Sequence, residues 1–106
     1  MIYIAGPMRG MPESNYPAFR RAAQRLRACG HIVVSPVDIG EGYGGQEKLL
    51  NDEDLLKRCM EDELRALAEC DTIYLLKGWQ YSKGALAELK CAIEHGLSII
   101  LEGQYP

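Results

Sequence analysis

Apolar positions along this chain alternate between short continuous runs and repeats at helical spacing. Ile2 to Ala5 reads as a short buried strand, and the stretch Gly6-Pro7-Met8-Arg9-Gly10-Met11-Pro12 after it is a punctuated loop. Pro17 suits a first helical turn, and Phe19, Ala22, Ala23, Leu26 and Cys29 recur at helical spacing until Gly30 stops the helix. His31 to Ser35 is a second β-branched run, ended by Pro36. Val37 to Gln46 carries Gly40, Gly42, Gly44 and Gly45 and is expected to form a long loop, either mobile or part of a site. A mostly helical segment follows from about Glu47 to Glu69, then an apolar strand from Thr72 to Leu76 and a loop from Lys77 to Gly84. Ala85 to about His95 repeats as a helix closed by Gly96, and Leu97 to Leu101 gives a last strand.

Strands alternating with helices argue an α/β domain whose parallel sheet is covered by helices. In such sheets the ligand crevice lies outside the carboxyl ends of the strands. The loops holding Gly6 to Met11, Pro36 to Gln46 and Gly78 to Gly84 all emerge at that edge.

Composition narrows the class. The 106 residues, 47% hydrophobic and 25% charged, fit one domain over residues 1–106 and leave no room for a second. No apolar run approaches the roughly 18 residues of a membrane span, and Ile2-Tyr3-Ile4-Ala5 lacks the layout of a signal peptide, so a cytoplasmic protein without a membrane partner is expected. Cys29, Cys59, Cys70 and Cys91 stand far apart, mostly in apolar periodic segments, and read as core thiols rather than a disulfide or metal set. The net charge of −3 argues against polymeric nucleic acid, although residues 1–40 hold five basic residues against two acidic ones. No metal site and no cofactor is expected: the glycines of Gly6-Pro7-Met8-Arg9-Gly10 match neither a Walker nor a dinucleotide fingerprint.

Several residues can carry chemistry. Glu88 falls in the second turn of the last helix, beside the apolar arc of Ala85, Leu89, Ala92 and Ile93, where it is either a crevice-facing carboxylate or an ordinary surface glutamate. A carboxylate in the crevice can act as a nucleophile toward an electrophilic carbon. Ser82 caps the same helix, and Ser82-Lys83-Gly84 also offers hydroxyl and backbone N–H groups to an anion. On a wheel through Leu56, Met60 and Leu67, Glu63 lies in the middle of the apolar face, where a carboxylate wants a partner or ligand; a one-residue error of phase or a kink near Cys59 is the competing account. Asp62 points off that arc. Tyr3 lies on the first strand and Arg9 on its loop, both beside the crevice. Trp79 and Tyr81, between Gly78 and Gly84, suit either stacking on a base or an interface contact.

The segments Tyr3-Ile4-Ala5-Gly6-Pro7-Met8-Arg9-Gly10-Met11-Pro12, Cys70 to Trp79 and Ser82-Lys83-Gly84-Ala85-Leu86-Ala87-Glu88 resemble a family of small, often phage-encoded proteins designated DUF4406. That family is similar to nucleoside 2-deoxyribosyltransferases and 2′-deoxynucleoside 5′-phosphate N-hydrolases. The resemblance implies a flavodoxin-like three-layer α/β/α domain with four or five parallel strands, in a homodimer or larger homo-oligomer. It implies a nucleotide or nucleoside as small-molecule partner and cleavage of its N-glycosidic bond through a glutamate nucleophile, with water or a second base as acceptor. Under it Glu88 matches the catalytic glutamate and Tyr3 the tyrosine near it. Counting back from Asp71 selects Glu63, with Asp62 its neighbour, as the second acid. Arg9 and Ser82 with Gly84 match a phosphate site, and Gly6, Pro7, Met8, Trp79 and Tyr81 fall at the substrate pocket. A non-catalytic nucleotide-binding protein and a small oligomeric interaction protein are the other readings of the same residues.

Overall fold

Ile2–Ala5 forms β1 at the centre of a four-stranded, all-parallel sheet, in a computed structural model that describes residues 1–104. The strand order is β2-β1-β3-β4, with β2 at Val33–Val34, β3 at Thr72–Leu75 and β4 at Ser98–Leu101. The register runs Ile2↔Thr72 to Ala5↔Leu75 between β1 and β3, and Thr72↔Ser98 to Leu75↔Leu101 between β3 and β4. Strands buried on both sides read as unbroken apolar runs, which is why β1 and β3 show no alternation in sequence.

The two faces carry separate cores. On one, Ile2, Ile4 and Tyr74 pack against Phe19, Ala22, Ala23 and Leu26 of α1 (Tyr16–Ala28). On the other, Tyr3, Ala5, Ile73 and Leu75 pack against Leu67 of α4 (Glu53–Ala68) and Ala92 of α5 (Lys83–Glu94). Helices on both faces of a parallel sheet in this strand order make the expected flavodoxin-like three-layer fold, with four strands.

The expected long loop at Val37 to Gln46 is not one. Pro36–Gly42 is a helix, α2, and Gln46–Leu50 another, α3, so irregular chain is confined to the turn between them. The start signal was present: Ser35 accepts from Val37 N at 3.3 Å, and Pro36 occupies the first helical turn. The four glycines of the stretch mask it in the sequence. The Glu47 to Glu69 segment is likewise two helices, broken at Asn51 and Asp52, where Asp52 caps α4 by accepting from Leu55 N at 3.0 Å. His31 to Ser35 contributes only Val33–Val34 to the sheet. Of the four presumed core thiols, Cys59 and Cys70 are buried, Cys29 is exposed at the end of α1, and Cys91 is half-buried on α5.

Candidate active site

The site begins with Tyr3, whose side chain leaves the centre of β1 toward the α4 and α5 layer and is fully buried. Its hydroxyl donates to Glu88 Oε2. Glu88 reaches it because α5 starts at Ser82, which accepts from Ala85 N at 3.1 Å and so sets the phase of the helix. Ala85 and Ala92 face the sheet, and Glu88 follows Ala85 by three residues on the flank turned toward β1.

Glu63, on α4, stands on the same side of the sheet. Its Oε1 accepts from the thiol of Cys59, one helical turn earlier, at 3.5 Å. The three groups feel one another electrostatically. Burial pushes the Glu63 carboxyl up to about 7, against a weak lowering by the Cys59 contact. Burial pushes Glu88 up to about 8; the Tyr3 bond lowers it and the negative charge of Glu63 raises it. Tyr3 itself is held well above the ordinary phenol range, first by burial and then by the charges of Glu88 and Glu63. Near neutral pH the two carboxyls therefore exchange protons within the range in which acid and base catalysts work. The Cys59 thiol, pushed up to about 12 by burial and by Glu63, stays protonated and serves as a donor rather than a nucleophile.

Asp62 turns elsewhere. It accepts from the Tyr43 hydroxyl, at the end of α2, and from Arg65 Nη1 at 3.0 Å. Adjacent acids on one helix thus do different work: the charge of Glu63 acts on Tyr3 and Glu88, while Asp62 ties α2 to α4.

The loop after β1 and the loop after β3 meet at the carboxyl edge of the sheet. Gly6 is required there, because a Cβ would lie 2.8 Å from Cβ of Leu76. Pro7 lies against Gly78, and its carbonyl accepts from Asn15 Nδ2 at 2.8 Å. Met8 packs into the α1-side core rather than toward the carboxyls. Arg9 stands exposed on the following turn.

Ser82 Oγ serves α5 as a cap, and Gly84 lies exposed in the first turn of that helix. Trp79 and Tyr81 occupy a short 3-10 turn and line a cleft of about 320 Å³ with Leu75, Lys77, Leu101 and Glu102. Trp79 rests on the α5-side core, whereas Tyr81 is 88% exposed. Tyr3, Glu63 and Glu88 do not line that cleft.

Cys59 enters the site through its i, i+4 spacing from Glu63, a signal present in the sequence. Tyr43 has no such signal, because its segment has the glycine content of a loop. No group of His, Cys, Asp and Glu among the described residues could hold a metal ion, and no helix among them is long and apolar enough to cross a membrane.

A comparison with curated proteins finds no match. The family model described as a domain of unknown function, DUF4406, matches residues 1–101, and the chain belongs to that family.

Proposed function

We propose that the chain cleaves the N-glycosidic bond of a (deoxy)nucleoside 5′-monophosphate, with Glu88 as nucleophile. The observation that carries this reading is the buried Glu88 carboxyl, oriented by the Tyr3 hydroxyl and faced by a second carboxyl, Glu63, on a neighbouring helix. Two carboxyls, one ionised as nucleophile and one protonated as acid, are the usual equipment for displacement at an anomeric carbon.

In the first half-reaction a Glu88 oxygen forms a bond to C1′ as the C1′–N bond breaks through an oxocarbenium-like state, and Glu63 gives its proton to the departing base. In the second, Glu63 takes a proton from water as the water oxygen attacks C1′, releasing the sugar phosphate and the Glu88 carboxylate. Replacing the water by a second base gives deoxyribosyl transfer with the same two residues. Tyr3 holds one Glu88 oxygen and leaves the other for the sugar. For the 5′-phosphate, Arg9 supplies a charge and the start of α5 supplies backbone N–H groups. Ser82 accepts from Ala85 N and retains its own hydroxyl hydrogen for a phosphate oxygen.

The test incubates wild type, Glu88→Ala and Glu88→Gln with each deoxynucleoside 5′-monophosphate and its free nucleoside, and resolves released base by chromatography. Release by wild type, lost in both variants and faster for monophosphates, is the expected result. Binding without release from any substrate would replace the enzyme by a nucleotide-binding protein using the same crevice.

A further inference from the structure

Cys59, Glu63 and Leu67 follow one another at one-turn spacing along the inner face of α4. Cys59 and Leu67 are buried, and Glu63 between them is half-buried. A short polar side chain on a helix commonly bonds back to the carbonyl four residues earlier. Cys70, just past the end of α4, does so: its Sγ donates to Ala66 O at 3.4 Å. Cys59 points the other way, and its Sγ donates forward to Glu63 Oε1 at 3.5 Å. Burial and the charge of Glu63 push this thiol up to about 12, so it keeps its proton and donates to Glu63 in either state of the carboxyl.

The two carboxyls share one arrangement. Tyr3 donates to Glu88 Oε2, Cys59 donates to Glu63 Oε1, and no hydrogen bond among the described residues reaches the second oxygen of either. Both second oxygens meet accessible space, because the Tyr16 hydroxyl is the one buried side-chain oxygen or nitrogen without a partner among the described residues. The charged groups on the elements around Glu63 are committed or turned outward. Glu41 of α2 is paired with Arg20 of α1, and Asp62 with Arg65 and Tyr43. Glu47 and Lys48 of α3 are exposed, as are Lys83, Lys90 and Glu94 of α5. Cys59 is therefore the one hydrogen-bond donor to Glu63 among the described residues.

We infer that Cys59 is a positioning residue: its thiol ties one oxygen of Glu63 and presents the other, Oε2, as the atom that gives and takes the proton. A carboxyl free to turn about its stem would aim its proton away from the departing base as often as toward it, and one tied oxygen removes that freedom. A thiol is also a weak donor, which suits a group that gives up a proton in one half-reaction and recovers it in the next. A strong donor would favour the charged form and leave Glu63 a poor acid. The inference rests on Glu63 acting as the proposed function has it, but the tie itself is measurable without any reaction.

The deciding experiment titrates ¹³C-carboxyl-labelled glutamates by NMR in wild type, Cys59→Ala and Cys59→Ser, with Glu63→Gln assigning the Glu63 resonance. The Glu63 midpoint is expected at least about half a pH unit higher in Cys59→Ala, which removes the donor. In Cys59→Ser, where a hydroxyl donates more strongly, it should lie at or below the wild-type value. Infrared spectroscopy gives a second readout. The Cys59 S–H stretching band, assigned as the one lost in Cys59→Ala, should shift as Glu63 ionises and stand still with pH in Glu63→Gln. A thiol that only fills space would move neither. A Glu63 midpoint unchanged or lower in Cys59→Ala, one as high in Cys59→Ser as in Cys59→Ala, or an S–H band indifferent to pH in wild type would overturn the assignment. In turnover with a monophosphate, Cys59→Ala should lower kcat roughly threefold or more with KM unchanged. The NMR and infrared readouts are taken without substrate, so a failure to release base sinks the proposed reaction and leaves Cys59 to be judged on its own.

Discussion

A hydroxyl bonded to a buried carboxyl opposes the effect of burial on that carboxyl, and Tyr3 does this for Glu88. Tyr3→Phe should therefore lower kcat by about tenfold, roughly 1.4 kcal/mol of positioning. It should also move the alkaline fall of kcat/KM to higher pH, because the Glu88 carboxyl, the higher of the pair, loses the contact that lowers it. In wild type the productive form carries one proton on the Glu63 and Glu88 pair, so the profile should be bell-shaped between about 7 and about 8, limbs that belong to the pair. A flat pH profile across that range would show that neither carboxyl takes part. At this scale the sequence was informative where a residue broke a pattern: a glutamate on an apolar arc and another beside one. It could not say that Asp62 bonds Tyr43, because that contact joins α4 to a segment whose helicity the glycines concealed.

Elements were legible where burial was uniform. β1, β3 and α5 sit within two residues of their expected bounds, since each is specified by its own apolar pattern. α2 was not, because local propensity argued against it and its stability comes from neighbours: Ser35 at its start, Arg20 holding Glu41, and Asp62 holding Tyr43 at its end. Tyr43→Phe removes the last of these. Amide exchange across residues 36–42 should accelerate while β1 and β3 remain protected; uniform protection would mean that the tie to Asp62 is dispensable. The approach of β1 to β3 offers a sharper case. Gly6→Ala places a methyl carbon 2.8 Å from Leu76 Cβ, in a backbone conformation that alanine otherwise adopts freely. Overpacking of this kind costs about 1–3 kcal/mol, so Tm should fall by several degrees, and an unchanged Tm would mean that the two loops can separate.

For the whole molecule, the buried carboxyls set how stability depends on pH. Glu63 and Glu88 ionise near the ordinary value of 4.5 when unfolded, but at about 7 and about 8 when folded. Between these limits the native state binds more protons than the unfolded one, so stability falls as pH rises. The contribution of each carboxyl is full below about pH 4 and lost as pH passes through its folded value. Asp71 works in the opposite sense. It is held below its ordinary range by the N-terminal ammonium, 3.0 Å away, and by Thr72, so its contribution is present above about pH 4 and lost in acid. That pair is exposed and weak, which leaves the buried carboxyls in control. Chemical denaturation should therefore find greatest stability near about pH 4, with a decline toward pH 8.5. Glu88→Gln and Glu63→Gln should each flatten the decline and leave the variant more stable than wild type at the alkaline end, even as Glu88→Gln abolishes turnover. Parallel pH dependences for wild type and both variants would show that the carboxyls meet solvent in the folded protein. In that event the crevice would lack the low-polarity surroundings on which nucleophilic attack by Glu88 depends.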